Sequence, residues 1–280
     1  TGDINRDGKM DLIANSGSAK NTAFPHSIVW LESPPHGKIN QPWTRHLIAD
    51  RNAPGGSHYM GVGDVNHDGL PDIACGAKGG EKFPDGEWFA WWQQPKENQS
   101  GWKKHLLSAS QPGASNILPA DLDGDKNFDY FASRGHGQGV LFFKGPKFLK
   151  PVEIDPEIEN PHSLALTDLD GDGDTDAVTC GSQLSGKVVW YENDGKADFT
   201  RHLIGKNQSS YDIRTVDMDG DRNLDILIAG HFSSNIVWYK NPGIPKTVPF
   251  PGKVSEWKGY SCHEFKLDGA ACKMVIPKIT

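Results

Sequence analysis

Five stretches of this chain share one spacing of oxygen-bearing side chains, Asp-x-Asp/Asn-x-Asp-x-x-x-Asp. They are Asp3, Asn5, Asp7 and Asp11; Asp64, Asn66, Asp68 and Asp72; Asp121, Asp123, Asp125 and Asp129; Asp168, Asp170, Asp172 and Asp176; and Asp217, Asp219, Asp221 and Asp225. Residues at positions one, three and five point inward together when a backbone curls around a point, and carboxylates gathered in that way suit a hard cation. Calcium takes about 6 to 8 oxygens, drawn from Asp, Asn, a backbone carbonyl and water. Position seven varies (Lys9, Leu70, Asn127, Asp174, Asn223), as it should if only its carbonyl is used, whereas position nine is always Asp. A single Asp-Gly cluster would read as a turn former. Five copies with four oxygen positions each read as metal loops, with about five Ca2+ expected as cofactor. Half of the 36 acidic residues stand at these positions, and such crowding is self-repelling without a cation. Five Ca2+ would carry the formal charge from −7 to about +3.

A second set of chemistry-bearing residues sits six positions before the leading Asp of four copies: His58, Ser115, His162 and Tyr211. His136 and His231 follow later in glycine-rich stretches, Gly135-His136-Gly137 and Gly230-His231-Phe232. His58, His162, Tyr211, His136 and His231 are the candidate ligand-binding residues. Their polar groups suit a sugar or an acid; equally, polar side chains on inner strands can simply face a wet channel. A His/Tyr set of this kind also serves as base and acid in polysaccharide lyases. His46, His105 and His202 occupy one slot in three different repeats, so they are expected not to converge on a metal. Trp91 and Trp92 are adjacent and point to opposite faces, which leaves one of them to stack on a sugar.

The elements that must carry these residues repeat with them. The leading Asp recurs at 3, 64, 121, 168 and 217, every 47 to 61 residues, a period that suits a four-stranded propeller blade. A short run precedes each complete motif, as in His58 to Val62, and a β-forming run such as Asp72-Ile73-Ala74-Cys75 follows it. A third run is aromatic (Val29-Trp30, Ala90-Trp91-Trp92, Leu141-Phe142-Phe143, Val189-Trp190-Tyr191, Val237-Trp238-Tyr239). A fourth carries Trp43 to Ile48, Trp102 to Leu107 and Phe199 to Ile204. No stretch shows a helical period. The expected fold is an all-β propeller of four-stranded blades, with each Asp loop joining the first strand to the second. Residues 1–243 hold strands two to four of one blade, three full blades and three strands of a fifth. The chain opens inside a loop, so earlier blades are expected upstream. An EF-hand, which closes with Glu at position twelve between helices, does not fit.

The Gly2 to Gly8, Gly63 to Gly69 and Asp168 to Asp176 segments resemble the FG-GAP repeats of integrin α-chain propellers and the related VCBS repeats of bacterial surface and secreted proteins. The nearer likeness is to the VCBS type, because the Phe-Gly and Gly-Ala-Pro signatures are poorly kept. The resemblance covers roughly residues 1–243. It implies a parent propeller commonly of seven blades, calcium at the loop positions named above, and an extracellular, periplasmic or cell-surface location. It also implies a role in adhesion, carbohydrate handling or scaffolding, with carbohydrate or protein as the ligand.

Composition narrows the alternatives. A net charge of −7 argues against a nucleic-acid partner, and no run approaches the roughly 18 apolar residues of a membrane span. Neither a Gly-x-Ser-x-Gly elbow, a phosphate loop nor a Cys-x-x-Cys pair occurs, and no nucleophile–base constellation is readable. The chain is therefore expected to be a binding module and not a catalyst by itself, with a lyase-like propeller as the enzymatic alternative. Cys75 and Cys180 take related places after the closing Asp and read as small core residues. Residues 244–280 leave the repeat: a Pro-rich linker, then a β-hairpin around Asp268-Gly269, a candidate start of a second domain. A Cys262–Cys272 disulfide across it would need a shifted register. His263-Glu264-Phe265, Leu267-Asp268-Gly269 and Val275 to Lys278 resemble the leading strands of some bacterial α/β-hydrolase-like esterases. That resemblance implies a propeller that targets a catalytic domain.

Overall fold

A computed structural model describes residues 1–16, 25–80, 86–96 and 101–243, together with the backbone of 261–266. Among the described residues the chain is all-β, in five antiparallel sheets, and no helix is long and apolar enough to cross a membrane. The first sheet is β1 (Leu12–Asn15), β2 (Ile28–Glu32) and β3 (Thr44–Ala49). The second is β4 (Ser57–Gly63), β5 (Asp72–Lys78), β6 (Glu87–Gln93) and β7 (Lys103–Ala109). The third is β8 (Asn116–Ala120), β9 (Asp129–Ser133), β10 (Gln138–Phe143) and β11 (Val152–Glu159). The fourth is β12 (Pro161–Thr167), β13 (Asp176–Gly181), β14 (Val188–Asn193) and β15 (Phe199–Gly205). The fifth is β16 (Ser210–Val216), β17 (Asp225–Gly230), β18 (Asn235–Lys240) and β19 (Ser261–Lys266).

Two compact units divide these elements, residues 1–120 with 127–153, and residues 121–126 with 154–280. Neighbouring strands in each sheet are neighbours in sequence, as expected of up-and-down connections closed by short turns. The first sheet begins at what is the second strand of the others, in agreement with the repeat count. The fifth sheet has one strand more than that count, because β19 from the tail pairs with β18 in the register Trp238↔His263 and Tyr239↔Cys262. Asp268-Gly269 and Cys272 lie outside the described residues.

The aromatic third strands form the cores because their side chains alternate between faces. In the first unit Trp88, Ala90 and Trp92 pack with Ile4, Ile28 and Trp30, while Phe89 and Trp91 turn to the opposite face and meet Tyr130, Leu141 and Phe143. In the second unit Trp190 and Val188 meet Ile213, Ile226, Ile228 and Tyr239. Each such side chain, fully buried, contributes about 2 to 3 kcal/mol. Covering both faces of β6 also corrects one expectation: Trp91 and Trp92 are 7% and 0% exposed, so neither is presented to a sugar. Cys75 and Cys180 are buried and free, and burial pushes both thiols up to about 12.

Within each unit the first strand of a sheet lies against the first and second strands of the sheet before it. β8 packs on β4 and β5, and β16 on β12 and β13. A polar knot on β11 was not legible in the sequence. Asp155, 6% exposed, accepts the Tyr191 hydroxyl at 2.9 Å and Arg201 Nε at 2.7 Å, and its other oxygen takes the backbone N–H groups of Glu157 and Ile158.

Candidate functional site

In the second to fifth sheets the Asp loop joins the first strand to the second, in the first sheet it leads into β1, and each loop is curled by its own side chains. In the first loop Asp3 accepts the backbone N–H groups of Asp7 (3.0 Å) and Gly8 (2.9 Å). Asp64 does the same for Asp68 and Gly69, and Asp168 for Asp172 and Gly173. In the fifth loop Asp217 takes the N–H groups of Gly220 and Arg222. These bonds draw positions one, three and five toward a common point. In all five loops the curl puts positions four and six at positive φ: Arg6 and Gly8, His67 and Gly69, Gly124 and Lys126, Gly171 and Gly173, Gly220 and Arg222. Glycine adopts that backbone without steric cost, and every loop spends at least one glycine on the pair.

The closing Asp does a different job. Asp11, Asp72, Asp129, Asp176 and Asp225 are at most 1% exposed. Oδ1 of each accepts the backbone N–H of the residue just past the third strand or at its end, Ser33 (2.8 Å), Gln94 (2.9 Å), Gly145 (2.7 Å), Asn193 (2.8 Å) and Asn241 (2.7 Å). Oδ2 accepts the N–H of loop position two from Ile4, Val65, Leu169 and Met218. Position nine therefore staples the loop to the third strand, a role the spacing alone does not reveal.

The twenty loop positions are eighteen Asp and two Asn, so every one of them offers an oxygen. Carboxylate oxygens of Asp168, Asp170 and Asp176 lie within 4.8 Å of one another, and those of Asp217, Asp219 and Asp225 do likewise. Burial, reinforced by the charges of Asp68 and Asp64, pushes Asp72 up to about 7. Burial with the charge of Asp170 does the same to Asp176, and burial with the charges of Asp172 and Glu192 lifts Asp170 to about 6. A hard divalent cation is the species that such a donor set fits, since it relieves the repulsion and needs no nitrogen or sulfur ligand. Of the third loop, Asp121 accepts the N–H of Lys126 and Asp123 that of Asp125.

The His/Tyr candidates stand on the first strands where the ladders slip. Register shifts fall between Ser57 and Met60, Pro161 and Ser163, and Ser210 and Asp212, so that His58 with Tyr59, His162 and Tyr211 are left out of pairing. Bulges of this kind re-aim a side chain. Ser115 has no such slip; it is buried just ahead of β8, with its N–H donating to Ser133 O. In the first unit His58 Nε2 lies 2.7 Å from His136 Nε2, with ring centroids 4.7 Å apart. In the second unit His162 Nδ1 is 3.1 Å from Tyr211 O and the two rings are 4.2 Å apart; the ring of His231 lies 4.7 Å from that of Tyr211. The glycine-rich stretches that hold His136 and His231 thus return each of them to a first-strand candidate. His46, His105 and His202 sit on β3, β7 and β15. Each stacks on a tryptophan of the adjoining strand, Trp30, Trp91 or Trp190, at 4.1, 4.2 and 4.6 Å.

The family model described as FG-GAP-like repeat matches residues 3–75, 64–132 and 168–228, more than half of the chain. No curated protein sequence matches it. Among solved structures, the crystal structure of the V. cholerae biofilm matrix protein Bap1 is similar at a TM-score of 0.44 and 18% identity, over 85% of this chain and 36% of that one.

Proposed function

Since the chain belongs to the FG-GAP-like repeat family, we propose that it is a calcium-stabilised extracytoplasmic binding or scaffold module whose five sheets are blades of a β-propeller. The observation that carries this reading is the loop itself. Five nine-residue oxygen loops share one curl, and in each the closing Asp ties the loop to the third strand of its sheet. Loops so built hold a blade's first, second and third strands together around an ion, which suits a rigid display surface. The packing of β8 on β4 and β5 and of β16 on β12 and β13, one instance in each unit, is the kind of contact that blades of a propeller make.

Twenty side chains are assigned to calcium, the four of each loop, for about five ions. The ligand is assigned to the carbohydrate or protein class, met by His58 and His136 in one unit and by His162, Tyr211 and His231 in the other. A location outside the cytoplasm, whether extracellular, periplasmic or at the cell surface, follows from the millimolar calcium that loops of this class need. Of residues 244–280, Ser261–Lys266 completes the fifth sheet, and the remainder is assigned to a linker and the opening of a further segment. A glycan array probed in calcium and again in chelator tests the reading. Calcium-dependent retention of a defined glycan class supports a carbohydrate module, and uniform silence in calcium moves the assignment to a protein ligand.

The paired imidazoles favour one second reading. His58 and His136, whose Nε2 atoms lie 2.7 Å apart, would supply a base for proton abstraction beside a uronate carboxylate and an acid for the departing oxygen. Under that reading the chain is a polysaccharide lyase-like enzyme, and ultraviolet detection of unsaturated product from polyuronates distinguishes it from the binding module.

A further inference from the structure

The fourth and fifth loops carry the same four ligands, Asp168, Asp170, Asp172 and Asp176 against Asp217, Asp219, Asp221 and Asp225. What faces them differs in sign. The third strands end in Tyr191-Glu192-Asn193 and Tyr239-Lys240-Asn241, and matching registers, Ala177↔Tyr191 and Ile226↔Tyr239, put Glu192 and Lys240 at the same place beside their loops. The Lys240 ammonium contacts Asp219 and lies 3.2 Å from Asp221 Oδ2, so it touches positions three and five. Glu192 is held at 2.6 Å by Nε2 of the buried His202, and its charge bears on Asp170 at position three. The first loop has an acidic strand-end residue, Glu32, together with an ammonium from within the loop, Lys9 Nζ, 2.6 Å from Asp7 Oδ2 at position five. Glu32 accepts Asn5 Nδ2 at 3.3 Å and is gripped by His46 Nε2 at 2.8 Å. In the second sheet the neutral Gln93 is held by His105 at 3.1 Å.

We propose that this strand-end residue sets how strongly each loop takes its cation: Glu192 makes the fourth loop a tight calcium site, and Lys240 gives the fifth loop an ammonium counter-ion of its own, so that this loop binds calcium weakly. The inference rests on the calcium reading above and deepens it. An ammonium bonded to two ligand carboxylates already neutralises them and must leave before a divalent ion enters. Its flexible stem, with the side chain 36% exposed, lets it withdraw to water, so the loop is weakened and not closed. Glu192 adds a negative charge beside position three and, clamped by His202, cannot swing away. The histidine slot in the fourth strand thereby acquires a task, as a positioning residue for the group that faces the metal.

The test is calcium binding to the chelator-stripped chain by equilibrium dialysis with metal analysis, for wild type, Lys240→Gln, Lys240→Arg and Glu192→Lys. Lys240→Gln should tighten one weak site by about tenfold or more, from the removal of a competing charge at contact distance. Lys240→Arg, which keeps the charge, should stay near wild type, and Glu192→Lys should remove one tight site. Melting adds a readout of opposite sign: Lys240→Gln should melt below wild type in chelator, where Asp219 and Asp221 lose their counter-ion, and at or above it in excess calcium. Calcium binding that is unchanged in both Lys240→Gln and Glu192→Lys overturns this inference and leaves the calcium reading standing. A wild-type chain that binds no calcium overturns the calcium reading itself.

Discussion

The backbone N–H of Asn193 donates at 2.8 Å to Oδ1 of Asp176, tying the end of β14 to the last residue of the fourth loop. Leu169 N–H takes the other oxygen at 3.0 Å, all of it buried. Asp176→Ala would leave two buried donors unpaired, at a cost of about 3 kcal/mol that appears with or without calcium. Asp172, exposed at loop position five, has no such duty. Asp172→Ala should remove one bound calcium, leave the other loops loaded, and change the chelator-treated melt by about 0.5 kcal/mol or less. Urea melts of both variants in calcium and in chelator check the contrast, and equal losses in chelator would refute it.

Chelation should lower the melting temperature of the whole chain. A site held at tenfold over its Kd adds RT ln(1 + 10), about 1.4 kcal/mol. Three such loops supply about 4 kcal/mol, or on the order of ten degrees for a domain of this size. Millimolar Mg2+ should not restore the loss, because its octahedral demand fits open carboxylate loops poorly. Fewer than three calcium ions per chain in saturating calcium, with an unchanged melt, would return the Asp loops to turns.

Acid should weaken the second unit through Asp155. Burial by itself would raise this carboxyl, but the bonds from Arg201 and Tyr191 outweigh it and hold the group below its ordinary value of 3.8. The unfolded chain therefore takes up the proton first as pH falls. The stability that Asp155 contributes is complete above about pH 4 and is lost as pH drops through the lower folded value. Asp155→Asn should destabilise the protein at neutral pH and flatten this part of the acid limb. Urea midpoints between about pH 2 and 6 for the two proteins measure it; parallel curves would exclude the role.

Substitutions in the His/Tyr set should leave folding intact and act on ligand alone. His58→Ala and Tyr211→Ala sit at bulges, outside the ladder, so thermal melts should match wild type while binding to any array-identified ligand weakens. Neither ester nor polyuronate substrates should turn over. Turnover that His58→Ala or His162→Ala abolishes would replace the binding module with a lyase.

Local chemistry made much of this protein legible in one dimension. The oxygen ligands of a loop, the glycines that let it curl and the aromatic run that follows all lie within about thirty residues, so Asp168 to Tyr191 announces its loop, its strands and their order without any partner. Alternation along β6 likewise foretells that Trp91 and Trp92 part company. That both are covered depends on what the neighbouring sheets bring to each face, and no local pattern records it. The same holds for the pairs that join distant positions. His58 meets His136 across 78 residues, and Asp155 meets Arg201 across 46. Lys240 reaches Asp219 because β18 ends beside the fifth loop, and β19 enters the fifth sheet from beyond a Pro-rich stretch. Spacing encodes which atoms a single loop can gather; which side chain of another strand stands over them is set by register and sheet packing, where hydrogen bonds and buried area are settled among segments far apart in the chain.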